Sequence, residues 1–111
     1  MGCQMRITSY VEVEAKECEG SSKLKIRWLN NEGSTIFAVR HIEIEPDGYS
    51  PYHSHSWEHE IFVLEGNGTA VGEKEEESIS VGDLVSIPAN DAHQIKNTGE
   101  KTLKLLCMIP K

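Results

Sequence analysis

The sequence predicts an all-β domain, folded as a sandwich or a barrel. Short apolar or alternating segments recur along the 111 residues, and clusters of Gly, Pro, Asn and Asp separate them at intervals of about eight to twelve residues. No stretch keeps a helical hydrophobic period over three turns. Since a chain of this length has room for one hydrophobic core, residues 1–111 are interpreted as a single domain.

The first 47 residues are predicted to contribute the N-terminal strands. Residues 7–13 have the composition of an edge strand, and a polar loop follows them. Residues 23–29 alternate apolar and basic side chains, which is typical of a half-exposed strand. Residues 35–45 form a long strand candidate, and the compositions of residues 30–33 and 46–48 predict turns on either side of it.

The later strands are predicted by short apolar runs between turn signals. They lie at residues 60–64, 69–71, 78–81, 84–87, 93–97 and 102–109. The charged run at residues 73–77 is interpreted as the solvated tip of a hairpin. Cys107 lies within the apolar run of the last strand, which indicates core packing.

Composition and charge exclude several classes of function. The net charge is −7 and the sequence has no cluster of Lys and Arg to neutralise phosphates, so nucleic acid is not an expected partner. No apolar run approaches the roughly 18 residues of a membrane span, and the N-terminus lacks an apolar signal core. The three cysteines are odd in number and scattered, which favours reduced thiols. We therefore expect a cytoplasmic protein that binds no membrane.

Histidine spacing predicts a metal site. Three of the five histidines, His53, His55 and His59, lie close together, and His93 lies in a second patterned stretch. In a strand, His53 and His55 would point to the same face about 7 Å apart. His59 is a further even offset away, beyond a turn, and begins an apolar run that reads as a buried strand. We expect the four imidazoles to converge on one divalent metal ion, because clusters of ligand-type residues are typical of metal sites.

Residues 48–66 resemble the first of the two motifs that define the cupin family. That motif reads Gly, five residues, His-x-His, three or four residues, Glu, six residues, Gly. The matching positions here are Gly48, His53, His55, His59 and Gly66. The first gap is one residue short, and His59 takes the place of the glutamate.

Residues 82–97 resemble the second cupin motif. That motif reads Gly, five residues, Pro-x-Gly, two residues, His, three residues, Asn. The matching positions are Gly82, Pro88, His93 and Asn97. Asn90 replaces the middle Gly, and Asn is the residue that best tolerates the left-handed turn conformation that Gly usually supplies.

The resemblance implies a cupin-type jelly-roll barrel of two antiparallel sheets. Residues 56–66 and 105–110 are also similar to small single-domain cupins that bind metal through four histidines. That subgroup implies a homodimer with one divalent transition metal ion at the barrel centre, here held by His53, His55, His59 and His93. The candidate ions are Mn, Fe, Zn, Cu and Ni; imidazole suits the last four, whereas Mn usually prefers oxygen ligands.

A carboxylate is the alternative to His59, because the family usually has a glutamate at this point of the motif. Glu58 and Glu60 flank His59. If His59 points inward, strand alternation turns Glu60 outward, while Glu58 lies in the preceding turn and is free to swing in. Alternation favours His59. Asn97 is interpreted as a residue that caps the backbone of the following turn, not as a ligand.

Two kinds of function fit these residues. Four neutral imidazoles leave the charge of a divalent ion uncompensated, which makes it a strong Lewis acid and a good partner for anions. This favours a metal-dependent enzyme, of the dioxygenase, oxidative-cleavage or isomerase type, that acts on a small organic molecule. No second acid–base residue is evident, so the alternative is a non-catalytic barrel that binds or senses a small molecule. Candidates near the barrel mouth, each with a plainer packing or surface role, are Arg40, Tyr52, Trp57 and Glu58.

A homodimer is also predicted from surplus apolar residues. Ile26, Trp28 and Phe37 exceed what one face of a small barrel needs, so they form an interface or close one end of the barrel. His41 has no motif partner and is expected at the surface or the dimer face.

Overall fold

A computed structural model describes residues 5–30 and 36–111, which form one curled antiparallel sheet. Its strands are β1 (Ser22–Trp28), β2 (Phe37–Tyr49), β3 (His59–Glu65), β4 (Asn67–Val71), β5 (Glu76–Ser80), β6 (Leu84–Ile87), β7 (Gln94–Lys96) and β8 (Leu103–Pro110). The order across the sheet is β5-β4-β7-β2-β8-β3-β6, and β1 pairs with β2. The sheet forms a half-barrel of the jelly-roll type, so the predicted all-β class is confirmed.

Strand alternation places one face of each central strand inside the half-barrel. In β3, His59, Ile61 and Val63 are buried and therefore share a face. The pairing with β8 sets Ile61 opposite Cys107 and Val63 opposite Leu105. Burying each Val or Leu side chain in this row contributes about 1.5–3 kcal/mol, so the row fixes β3 firmly against β8. His59 lies at one end of this apolar row.

The predicted edge strand at residues 7–13 is wrong. This segment contains a 3-10 turn at Tyr10–Glu12, and the side chains of Ile7 and Val11 are 92% and 63% exposed. An edge strand needs a ladder of backbone hydrogen bonds, whereas the N-terminal segment meets β1 at one isolated bridge, between Lys16 and Ile26. Despite its β-like composition, the segment therefore does not extend the edge of the sheet.

The predicted turn at residues 46–48 is also wrong, because β2 continues through it to Tyr49. The register of β1 against β2 shifts at this point, since Ser22 pairs with Tyr49 while Leu24 pairs with Ile44. The extra residues of β2 bulge out, with Asp47 in the left-handed region at φ 73°. The Pro-Asp-Gly signal thus marks a bulge inside a strand.

The remaining predicted strands are confirmed, and their ends lie within two residues of the predicted ones, apart from the C-terminal end of β2, which lies four residues beyond the predicted end at residue 45. The exception is the segment that carries His53 and His55. It contains no regular strand, and its one backbone pairing of the sheet type is the bridge between His53 and His93. Residues 31–35, which include most of one predicted turn and the start of one predicted strand, lie outside the described residues.

Two of the three surplus apolar residues belong to the barrel itself. Ile26 is 6% exposed within the core, and Trp28 packs against the core from the end of β1. Phe37 is 45% exposed. The packing alternative therefore holds for Ile26 and Trp28, and the homodimer stays a prediction. No helix in the described part of the chain has the length and hydrophobicity required to span a bilayer.

Candidate metal centre

Three histidines converge at the half-barrel, where His93 is buried, His55 is half-buried and His53 is exposed. Each of His53, His55 and His93 offers a ring nitrogen, and these atoms all lie within 4.8 Å of one another. The ring centroids are 4.9 Å apart for His53 and His55, and 5.1 Å apart for each of these with His93. Backbone hydrogen bonds of 3.1 and 2.9 Å join His53 to His93 and align the two chain segments. The second motif is thereby brought against the first.

The ring of His93 is held in the state that a metal ligand requires. Its Nδ1 lies 2.9 Å from the carbonyl oxygen of Asp91, which accepts a hydrogen bond and therefore places the ring proton on Nδ1. Its Nε2 is buried and has no hydrogen-bond partner among the described residues. A buried nitrogen lone pair without a partner is costly, unless a cation or a donor occupies the space in front of it. The donor set therefore fits a transition metal ion.

The ring of His55 is held by its neighbours. The Trp57 ring stacks on it with a centroid distance of 4.6 Å and an interplanar angle of 3°. The backbone N–H of Asn90 donates to the carbonyl oxygen of His55 at 2.7 Å. Asn90 adopts φ 71°, which confirms that Asn replaces the motif glycine in a left-handed conformation.

His59 is close to the rings of His55 and His93 but is already engaged. Its centroid lies 5.4 Å from that of His55 and 5.5 Å from that of His93. Its Nε2 is 2.8 Å from Nη2 of Arg40. A guanidinium has no acceptor, so Arg40 donates and the lone pair of His59 Nε2 is occupied. Among the described residues, the group whose ring nitrogens could hold one metal ion comprises His53, His55 and His93, so a fourth ligand at His59 stays a prediction.

Arg40 enters the barrel from β2. Its register neighbours are Trp28 on β1 and Cys107 on β8, and its guanidinium lies 5.2 Å from the centre of the Trp28 ring. Its Nε is buried without a hydrogen-bond partner among the described residues. The indole face therefore supports an arginine whose donors are only partly used.

The surroundings of His53, His55 and His59 favour their neutral form. Burial, together with smaller contributions from the Arg40 charge and the other imidazoles, lowers the pKa of His59 to about 3. Burial also lowers the pKa values of His53 and His55, with smaller contributions from the other rings and from Arg40. A neutral imidazole is the form that binds a metal ion, so these rings are poised for coordination at neutral pH.

The flanking carboxylates lie outside the cluster. Glu60 points outward and accepts a hydrogen bond from the Ser86 hydroxyl, as alternation predicts. Glu58 is exposed and does not belong to the group of possible ligands. Tyr52 is 52% exposed.

His41 lies away from the cluster, with its ring stacked on Tyr10 at 4.3 Å. It is 5% exposed, so the expected surface position is wrong. The N-terminal segment covers it, because Tyr10 packs against this face of the sheet.

Asn97 acts as the predicted cap. Its Nδ2 donates to the carbonyl oxygens of Ile44 at 2.7 Å and Lys101 at 2.8 Å. Its Oδ1 accepts from the backbone N–H of Gly99 at 2.9 Å. These bonds tie the end of β7 to β2 and to the following turn, which steadies the strand that begins after His93.

A cavity of about 500 Å³ opens between the two ends of the sheet, β5 and β6, and reaches His93. Its inner wall is apolar and includes Ile79, Ile87 and Ile95. The carboxylates that line it are all exposed: Glu75, Glu77, Asp83 and Asp91. The volume is suited to one compact organic molecule next to the histidines.

Two features of the site escaped the sequence analysis. The bond from His93 to the Asp91 carbonyl has no sequence signal, because a backbone oxygen is present at every position. The engagement of His59 by Arg40 depends on the pairing of β2 with β8 and of β8 with β3. The side chain Arg40 was a candidate at the barrel mouth, but nothing in the spacing links it to His59.

Comparisons with known proteins agree with the motifs. Residues 40–109 match the family model described as Cupin domain. Auxin-binding protein 1 from Arabidopsis thaliana is 34% identical over 93 residues, covering 71% of this chain and 47% of that protein. The 1-methylthio-D-xylulose 5-phosphate methylsulfurylase of Rhodospirillum rubrum is 31% identical over 71 residues, covering 64% of this chain and 46% of the enzyme. The chain thus spans about half the length of these curated relatives.

Solved structures share the fold. The polyketide cyclase RemF from Streptomyces resistomycificus superposes with a TM-score of 0.88 and 28% identity, covering 96% of this chain and 80% of RemF. A cupin-2 domain protein from Rhodospirillum rubrum has a TM-score of 0.81 at 24% identity, covering 99% of this chain and 75% of that one. With the family model matched over most of the chain and the same half-barrel around both motifs, the protein belongs to the cupin family.

Proposed function

We propose that the protein is a divalent-metal-dependent cupin enzyme whose ion is held by His53, His55, His59 and His93. The observation that carries the proposal is the buried, unpartnered Nε2 of His93, whose ring proton is fixed on the opposite nitrogen by Asp91. One ring nitrogen from each of His53, His55 and His93 lies within 4.8 Å of the other two, which is close enough for one metal ion to bind all three. A hydrogen bond from the other ring nitrogen to a backbone carbonyl, as between His93 and Asp91, orients histidine ligands in metal sites.

His59 is proposed as the fourth ligand, although Arg40 holds its Nε2 here. Its ring lies within 5.5 Å of the rings of His55 and His93, and strand pairing fixes its backbone. A small movement of the flexible arginine head would free the lone pair without moving β3. Glu58 is the alternative ligand, but its side chain is exposed.

The proposed reaction class is oxidative cleavage, dioxygenation or isomerisation of a small organic molecule. The chemistry supplied by a bound divalent ion would be Lewis-acid activation and, for a redox-active ion, electron transfer. The chain itself would bind the substrate against the apolar wall of the cavity and exclude water there. Relatives named as a methylsulfurylase and a polyketide cyclase show that similar chains are described as enzymes.

A non-catalytic binding role is the second candidate. The group of possible ligands among the described residues contains three histidines and no carboxylate that would act as a general base. The auxin-binding proteins of Arabidopsis thaliana and Nicotiana tabacum, named for binding, are also similar to this chain. A small molecule held at the metal without turnover would fit both observations.

Metal analysis of protein purified without an affinity tag tests the site. We expect about one ion per chain in the wild type, little in His93→Ala, and a sharp drop in His59→Ala. His41→Ala is the matched control, because it removes a buried histidine that lies outside the cluster. The proposed centre would be refuted if the wild type contained no divalent metal after purification and bound none when metal was added. Unchanged metal content in His59→Ala would move the fourth ligand to Glu58, which Glu58→Gln then tests.

Oxygen uptake separates the two candidate functions. Fe(II)- or Mn(II)-loaded protein is tested against phenolic, enol and thiol compounds in an oxygen electrode, with His93→Ala as the control. Turnover that disappears in His93→Ala would support the enzyme. If no compound of the panel caused oxygen uptake, and one of them raised the unfolding temperature of the metal-loaded protein, the result would favour the binding role.

A further inference from the structure

We infer that Arg40 is the anion-recognition residue of this site, and that the barrel takes a small organic carboxylate whose acid group meets the guanidinium while the molecule lies next to the metal. The inference rests on the metal centre proposed above. It names the class of ligand, which the histidines alone leave open.

The position of Arg40 supports this role. Its Nη2 lies 2.8 Å from His59, so the guanidinium borders the proposed ligand cluster directly. The Trp28 ring supports the group at 5.2 Å, and Nε is buried with no partner among the described residues. In the part of the chain that the structure describes, no carboxylate forms an ion pair with Arg40. A partly buried guanidinium without an anion is costly, and a ligand that supplies one is therefore favoured.

The charge balance of the interior points the same way. An imidazole that binds a metal ion is neutral, so a divalent ion and Arg40 together would place three positive charges in the barrel, with no carboxylate in the group of possible ligands. The carboxylates around the neighbouring cavity are exposed, and solvent screens them. An anion is the ligand that this interior lacks.

The surroundings of Arg40 favour a carboxylate over a phosphate. The planar fork of one guanidinium pairs with two oxygens of either anion, so the preference comes from the donors around it. Phosphate sites in proteins commonly use the N-terminus of a helix, and the helical segment described in this chain is the short 3-10 turn Tyr10–Glu12, on the outer face of the sheet.

Titrations of the Co(II)-loaded protein test the inference, with the visible absorption of the ion as the readout. The probes are benzoate, its neutral counterpart benzamide, and inorganic phosphate. We expect benzoate to bind at least tenfold more tightly than benzamide or phosphate. In Arg40→Met, benzoate affinity should fall tenfold or more, whereas Co(II) affinity should rise, because a competing cation next to His59 is gone. A variant that merely misfolds would lose both affinities.

Arg27→Met is the matched control. It removes an arginine from the neighbouring strand that pairs with Glu43 and covers Tyr10, outside the barrel, and should leave both affinities unchanged. Arg40→Lys keeps the charge but not the fork, and should lose only part of the benzoate affinity. Full benzoate affinity in Arg40→Met, or a preference of the wild type for phosphate, would overturn the inference while the metal centre stands. Failure of the wild type to bind Co(II) would overturn the metal centre and this inference with it.

Discussion

Replacing Asn97 by alanine should destabilise the protein strongly, because this one side chain satisfies three backbone groups. It is 2% exposed, donates to the carbonyl oxygens of Ile44 and Lys101, and accepts from the N–H of Gly99. Each lost bond to a buried group costs about 1 kcal/mol, so Asn97→Ala should lower the free energy of unfolding by about 3 kcal/mol. That is a large fraction of the about 5–15 kcal/mol that stabilises a typical domain.

Urea unfolding of the metal-free protein, followed by tryptophan fluorescence, measures this loss. With a denaturant slope of about 1.5 kcal/mol/M, the midpoint should fall by about 2 M. Thr98→Ala is the control, since its hydroxyl bonds to Thr69 at the surface, and it should change the free energy of unfolding by less than about 0.5 kcal/mol. Asn97→Asp keeps the acceptor but loses both donors, so it should cost at least as much as Asn97→Ala. A loss below about 1 kcal/mol in Asn97→Ala would refute the assigned role.

Three further predictions concern packing and protonation. Gly68→Ala should lower the free energy of unfolding, measured with urea, by about 2 kcal/mol, because the added Cβ would clash with the carbonyl oxygen of Lys96. Gly72→Ala is the comparison: its added Cβ would have its nearest contacts at 3.7 Å, so it should lower the free energy of unfolding far less. Cys107 should react with a thiol reagent only on unfolding, since it is fully buried and burial raises the pKa of its thiol to about 12; rapid reaction that disappears in Cys107→Ser would contradict this. The pKa of His59 is about 3 in the folded protein and 6.5 when unperturbed, so the unfolded chain binds more protons between these values. The stability of the metal-free protein should therefore fall with decreasing pH across this window, by up to about 1.4 kcal/mol per pH unit, and His59→Gln should flatten the slope.

Local patterns predicted the strands well, because alternation and turn residues act over a few neighbouring positions. They failed where a distant partner decides the outcome. Residues 7–13 have the composition of a strand but lack a sheet edge to pair with, and the turn signal at residues 46–48 became a bulge because β2 remains paired with β1 beyond it. The segment around His53 is held by its bridge to His93 and by the bond from Asn90 to His55, and both depend on the closure of the barrel.

The same distinction applies to the site. The even spacing of His53, His55 and His59 predicted a shared face from strand geometry. The segment with His53 and His55 forms no regular strand, however, so its bridge to His93, and not alternation, brings these rings together. The tautomer of His93 and the engagement of His59 depend on atoms that are remote in sequence or belong to the backbone. Spacing alone could therefore identify the histidines but not their hydrogen-bonding state.

The replacement of the usual motif glutamate by His59 changes the role of Arg40. A carboxylate at position 59 would accept from the same guanidinium and neutralise it, so the arginine would be part of a closed ion pair. The neutral imidazole accepts one hydrogen bond and leaves the positive charge in place. One substitution thus raises the charge of the proposed metal centre and keeps a second cation beside it. Both effects favour an anionic ligand. His59, the residue that departs from the family pattern, therefore narrows the proposed class of ligand more than the other three histidines do.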